Sequence, residues 1–258
     1  MAAAAFFDLD KTIIAKSSTL AFTRPLFRAG FLNRTSLLKA GIAQTYYSMF
    51  GADHDQLERV RQELGELTRG WEQEEVARLV EETVEEVVAP LVYAEALTII
   101  DEHARAGRNV VVVSSSPIEI VRPLCEYLGL TEVIATLPEV DDEGRYTGNI
   151  PFYAYGEGKA EAMWELAERT GLSLEDSFAY SDSLTDLPML EAVGHPVAVN
   201  PDRELRAIAE ERDWQILEFE REVTVGRRVP KPVPVISGAV AGGLAAALAV
   251  WAVRRSRK

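Results

Sequence analysis

The chain opens on an apolar run, Ala-Ala-Ala-Ala-Phe-Phe over residues 2–7, that ends in Asp8-Leu9-Asp10. A short unbroken apolar run closed by polar residues is the pattern of a strand buried on both faces. Residues 109–113, one asparagine and four valines, repeat it and run into Ser114, Ser115, Ser116 and Pro117. Pro117 suits the first turn of a following helix. Residues 177–182 predict a further strand with Asp182 at its end, residues 197–201 another, and residues 214–219 a strand at an edge. Between residues 131 and 150, Asp141-Asp142-Glu143-Gly144 is flanked by β-formers and predicts a hairpin. Helical spacing fills the intervals 91–106, stopped by Gly107, and 156–170. Strand and helix alternate from residue 91 onward, which predicts a parallel α/β sheet.

The stretch from residue 17 to 90 has a different rhythm. Ser17-Ser18-Thr19 offers helix N-caps ahead of Leu20, Phe22, Leu26 and Phe27. Residues 33–50 carry Leu37, Leu38, Ile42 and Tyr46 at helical spacing. Asp53 and Asp55 can cap a helix bearing Leu57, Val60, Leu64 and Leu67. Residues 72–89 are acidic on one side, with Val76, Leu79, Val80, Val84, Val87 and Val88 on the other. No strand pattern interrupts the block. It reads as a helical unit inserted after the first strand, the alternative being the helical first half of a single core.

Composition narrows the chemistry. A single cysteine, Cys125, excludes an internal disulfide, and one cysteine with three histidines argues against a Cys/His zinc site. A metal here is a hard cation held by oxygen. The formal net charge of -14 is unevenly spread: residues 227–258 hold seven basic side chains and no acidic one, so residues 1–226 carry -21. So acidic a body argues against nucleic acid as a partner. Residues 233–253 carry no charge, match the length that spans a bilayer, contain Gly238 and Gly242, and run into Arg254-Arg255-Ser256-Arg257-Lys258. The expectation is a cytoplasmic catalytic domain anchored by a C-terminal membrane helix. The first residues lack the positive region and apolar length of a signal peptide.

The polar groups that this reading places at strand tips or helix starts are Asp8, Asp10, Ser114, Lys159, Asp182 and Asp186. Lys159 falls in a first helical turn, where the helix dipole disfavours a cation. Two acids, a hydroxyl, an ammonium and two further acids suit Mg²⁺-assisted phosphoryl transfer. One carboxylate can accept the phosphoryl group, and a second can protonate the leaving oxygen and activate water. The hydroxyl and the ammonium can hold the non-bridging oxygens, while the remaining carboxylates complete an oxygen shell for Mg²⁺.

At four places, Asp8-Leu9-Asp10-Lys11-Thr12, Val110-Val111-Val112-Val113-Ser114, Lys159 and Tyr180-Ser181-Asp182-Ser183-Leu184-Thr185-Asp186, the chain resembles the haloacid dehalogenase (HAD) superfamily. The resemblance spans residues 4–220 and is strongest to the phosphoserine-phosphatase-like branch, subfamily IB. It implies a Rossmann-like parallel sheet core with an inserted helical cap. Asp8 matches the nucleophile, and Asp10 the general acid/base, which also offers Mg²⁺ its backbone carbonyl. Asp8, Asp10 and Asp182 match the metal ligands. Ser114 and Lys159 match the phosphate-binding pair, with Ser115 beside them. Thr12, Thr185 and Asp186 match supporting positions.

Three positions depart from phosphoserine phosphatases. Ser17 stands where they place a cap-side glutamate, Ser115 where they have glycine, and Thr185 where they have asparagine. These departures bear on the substrate rather than on the chemistry. The resulting expectation is a Mg²⁺-dependent phosphomonoester hydrolase forming an aspartyl-phosphate, on a small or lipid-linked phosphate. Its domains are a HAD core (1–15 and 91–220), a helical cap (16–90), a linker (221–232), a membrane-spanning helix (233–253) and a basic tail (254–258). The alternatives are phosphoserine phosphatase itself and a membrane-tethered phosphate-binding or regulatory protein. Paired Asp8 and Asp10 disfavour the last, because a binder needs neither nucleophile nor acid.

Overall fold

The computed structural model describes residues 2–32 and 54–222. The chain starts with strand β1 (Ala4–Asp8), then helices α1 (Ser18–Ala21), α2 (Thr23–Arg28), α3 (His54–Thr68) and α4 (Gln73–Val88). A 3₁₀ turn (Ala89–Leu91) leads to α5 (Ala94–Arg105), β2 (Asn109–Pro117), α6 (Ile118–Tyr127) and β3 (Glu132–Thr136). Helix α7 (Glu157–Thr170), β4 (Phe178–Ser181), a 3₁₀ turn (Leu184–Asp186) and α8 (Leu187–Glu191) follow. Strand β5 (His195–Val199), α9 (Arg203–Glu211) and β6 (Gln215–Leu217) complete the described fold.

All six strands are parallel, in the order β3-β2-β1-β4-β5-β6. The chain builds outward from β1 to β3 and then crosses back to β4 on β1's other side. That reversal makes the junction of β1 and β4 the topological switch point, where open α/β sheets bind ligands outside the strands' carboxyl ends.

The strands are apolar throughout because both faces are covered, and their period of two sorts the side chains. Ala5, Phe7, Val112, Tyr180, Val197 and Val199 face one core, with Val80, Val84 and Val88 of α4, Ile100 of α5 and Leu124 of α6. Ala4, Phe6, Val111, Val113, Ala179 and Ala198 face the other, with Met163 and Leu166 of α7, Met189 of α8 and Leu205 of α9. Helix α4 thus lays the valine stripe read from its sequence onto the first core.

The 131–150 region is only partly the hairpin expected. Its first arm is β3, which joins the sheet edge in parallel with β2. The antiparallel ladder begins beyond it, where Leu137 N–H donates to Phe152 O and Glu139 N–H to Asn149 O. The β-forming pattern of residues 132–136 serves an edge strand, which periodicity alone does not distinguish from a hairpin arm. Likewise β2 extends through Pro117, with its register to β3 shifting between Ser114 and Pro117, so Pro117 caps α6 instead of opening it.

The helix expected over residues 33–50 and the expected membrane span 233–253 with its basic tail lie outside the described residues. Among the described residues no helix is long and apolar enough to cross a membrane.

Candidate active site

The carboxyl end of β1 delivers Asp8, and β1 is the strand with neighbours on both sides of the switch point. Beyond it the chain turns tightly: Ile13 and Ile14 N–H both donate to Leu9 O, and Lys11 sits at φ 60, a left-handed conformation uncommon for a side chain-bearing residue. This turn keeps Asp10 beside Asp8. Next door, β4 ends at Ser181, so Asp182 emerges at the adjacent tip, and the 3₁₀ turn brings Asp186 back under it.

Lys159 ties these tips together from α7. Its Nζ donates to Asp8 Oδ1 at 2.6 Å and to Asp186 Oδ2 at 2.7 Å. All three side chains are buried, Lys159 being 3% exposed. The first turn of α7 approaches closely enough because residue 158 is glycine: a Cβ there would lie 2.5 Å from the Tyr153 carbonyl oxygen. Ser181 Oγ donates to the same Asp186 oxygen at 2.6 Å.

Electrostatics follow from this crowding. Burial pushes Asp8 well above the usual carboxylate range; the Lys159 charge opposes the rise, while Asp186, Asp10 and Asp182 reinforce it. Burial also raises Asp10, against the N–H and hydroxyl of Ser18, the Lys159 charge and the hydroxyl of Ser17. Asp182 is pushed up to about 6, by burial first, with exposed Lys11 3.6 Å away opposing. Burial disfavours the Lys159 ammonium, yet Asp186 and Asp8 together outweigh it and hold the group above the ordinary lysine range.

The β2 tip, beside the end of β1 where Asp8 pairs with Val113, carries three hydroxyls in a row. Ser114 is buried and its Oγ accepts from Ser116 N–H at 3.2 Å. Ser115 is partly exposed, and its carbonyl accepts from Thr136 Oγ1 at 2.7 Å. Thr12 is fully buried, with no hydrogen-bond partner for its Oγ1 among the described residues. Thr185 is exposed at the 3₁₀ turn and its hydroxyl pairs with Ser183 Oγ at 3.1 Å.

Three contributors were not singled out from sequence. Ser181 carried a signal, because a hydroxyl directly before a strand-tip acid lies within reach of the acid that follows. Asp202 carried none: its N–H donates to Asp182 O at 2.8 Å and its Oδ2 accepts from Leu184 N–H at 2.9 Å, steadying the Asp182 loop from α9. Ser18 has the sequence pattern of a helix cap, and in the structure its N–H donates to Asp10 Oδ1 at 2.8 Å.

The donor set suits Mg²⁺. Four acids, Asp8, Asp10, Asp182 and Asp186, gather around one buried ammonium, so negative charge is in excess, and a divalent cation would relieve it. Among the described residues no three imidazole, thiol or carboxyl groups form a ready-made metal cluster. Mg²⁺ needs none, since it is commonly held by one or two carboxylates together with water and substrate phosphate.

The family of haloacid dehalogenase-like hydrolases matches residues 5–191. A Mycobacterium tuberculosis protein called probable phosphatase Rv3661 is 52% identical over 250 residues, covering 97% of this chain and 87% of the relative. Phosphoserine phosphatase SerB1 of the same species is 34% identical over 250 residues, with 95% and 80% covered. Among solved structures, a protein with unknown function from Bordetella pertussis Tohama I superposes with a TM-score of 0.74 at 30% identity, over 84% of this chain and 98% of that one.

Proposed function

This chain belongs to the haloacid dehalogenase-like hydrolases and is a phosphatase of that family with phosphoserine-phosphatase-like relatives, and from that premise we propose that it hydrolyses phosphomonoesters through an aspartyl-phosphate on Asp8 with Mg²⁺ as cofactor. The observation that carries the reading is the buried bridge of Lys159 between Asp8 and Asp186 at the switch point.

In this mechanism an Asp8 oxygen attacks phosphorus and the bond to the substrate oxygen breaks, leaving an acyl phosphate. Asp10, raised by burial and so inclined to carry a proton, gives that proton to the departing oxygen. The same carboxylate then takes a proton from the water that attacks phosphorus, releasing inorganic phosphate and restoring Asp8. Lys159 and Ser114 hold the non-bridging oxygens, and Lys159 keeps the Asp8 carboxylate aimed. Asp8, Asp182 and the Asp10 carbonyl would hold Mg²⁺, which when bound would supply charge stabilisation to the transferring phosphoryl group. Asp186 keeps Lys159 oriented, and Ser181 keeps Asp186 oriented.

The substrate is a small or lipid-linked phosphate, with residues 16–90 as the cap that selects it. Kinship with SerB1 favours phosphoserine as the second reading. Ser17, in place of an amine-binding glutamate, weighs against it. Membrane anchoring rests on the uncharged stretch 233–253 alone and predicts that the full chain stays with membranes through a high-salt wash.

The test is a screen of the full chain on amino-acid, sugar and lipid phosphates with Mg²⁺ and with EDTA. Phosphate release should require the metal and vanish in Asp8→Asn, and acid-quenched enzyme should carry a phosphoryl group on Asp8. Undiminished turnover by Asp8→Asn would overturn the reading.

A further inference from the structure

The hydroxyl of Ser116 has no part in the mechanism above, yet it lies between the site's two halves. Ser116 Oγ is 2.8 Å from Ser18 Oγ and 3.0 Å from Thr19 Oγ1. Ser18 is fully buried and Ser116 4% exposed, so these hydroxyls serve one another instead of water. On its backbone side, Ser116 N–H donates to Ser114 Oγ. On its side-chain side, the bonded Ser18 places its own N–H 2.8 Å from Asp10 Oδ1. One residue therefore links the phosphate-binding hydroxyl to the acid/base, across the point where the helical segment leaves the sheet.

We propose that Ser116 is a positioning residue: its hydroxyl clamps Ser18 and Thr19 onto the strand that carries Ser114, and so fixes the Ser18 N–H against Asp10. The inference rests on the phosphatase reading for its effect on turnover, but not for its effect on structure. Removing the hydroxyl leaves the groups of the mechanism in place and loosens the first turn of α1. Asp10 then samples orientations from which it cannot reach the leaving oxygen, which lowers kcat more than it weakens phosphate binding.

The experiment compares Ser116→Ala, Ser18→Ala, their double variant and Thr19→Ala. Turnover of p-nitrophenyl phosphate, inhibition by inorganic phosphate and amide exchange over residues 17–21 are measured for each. Ser116→Ala should lose roughly tenfold in kcat, the size expected for one or two neutral hydrogen bonds, with phosphate inhibition nearly unchanged. The double variant should lose less than the two single losses combined, because both remove the Ser116–Ser18 contact, while each also removes one of its own, Ser18 to Asp10 and Ser116 to Thr19. Exchange over 17–21 should quicken. Thr19→Ala, at a partly exposed position, should show the same signs more weakly if the buried variants fold poorly. Unchanged kcat and exchange in Ser116→Ala, or additive losses in the double variant, would overturn the proposal. Should the wild-type chain hydrolyse no phosphate, the phosphatase reading fails, and amide exchange alone decides whether the clamp exists.

Discussion

Replacing Lys159 by methionine asks what the buried ammonium is worth. Methionine keeps most of the aliphatic stem, so packing changes little and the lost charge dominates. The substitution leaves Asp8 and Asp186 facing each other without the cation that both touch, at 2.6 and 2.7 Å. Their side chains are 8% and 4% exposed, so water screens little of the repulsion. Breaking a buried pair from one side costs about 3–5 kcal/mol, because a charge is stranded. That is a large share of a total stability of about 5–15 kcal/mol. Adding Asp186→Asn removes one stranded charge while its amide oxygen still accepts from Ser181 Oγ. The double variant should therefore recover on the order of 2 kcal/mol relative to Lys159→Met. Urea unfolding followed by circular dichroism, near neutral pH and in EDTA, measures all four corners of the cycle. If Lys159→Met unfolds within about 1 kcal/mol of wild type, the size of a solvent-exposed pair, then the bridge is not a buried one and the electrostatic argument fails.

Asp10→Asn should cut kcat by about 10²–10⁴-fold while Asp8→Asn leaves none, as read by phosphate release; equal residual rates would contradict their separate roles. Gly158→Ala drives a Cβ to 2.5 Å from the Tyr153 carbonyl, so the start of α7 must shift; a loss of about 1–3 kcal/mol in thermal unfolding with reduced kcat is expected, and wild-type behaviour in both refutes the close approach. His103 is held neutral, its value lowered from 6.5 to about 4 by burial and then by Arg108; its Nδ1 accepts from Arg108, so Nε2–H donates to Tyr180 Oη at 2.8 Å. Because the folded value is depressed, this contribution is intact above pH 6.5 and lost as pH falls toward 4, on the order of 3 kcal/mol, and His103→Gln should flatten that part of the unfolding profile relative to wild type.

Much of this fold was legible because buried parallel strands write themselves as apolar runs. The four valines of β2 and the alanines and phenylalanines of β1 needed no context, and the valines of α4 showed their stripe four residues apart. Edge strands are less distinct. Residues 132–136 carry the same β-formers whether they pair with a parallel neighbour or fold back, and only the sheet decides. The strand order was likewise out of reach, since a crossover from β3 to β4 leaves no mark in local periodicity.

The site was legible to the extent that it follows from strand ends. Asp8 and Asp182 stand where apolar runs stop, and adjacent tips at a switch point bring them together whatever the loops do. By local pattern Lys159 is a cation in an unfavourable first turn, and the family resemblance adds a phosphate-binding role; its burial between two carboxylates gives the reason for the placement, since the partners it meets outweigh the dipole it opposes. Asp202 and Ser116 act through contacts between elements far apart in the chain, and their residue types are ordinary for a helix cap and a strand end. Such residues become informative only when a distance is attached to them. Chemistry that depends on charge can be read from a run of letters, because misplaced charge is costly and therefore conspicuous. Positioning depends on neutral hydrogen bonds worth about 1 kcal/mol each, which leave no such mark.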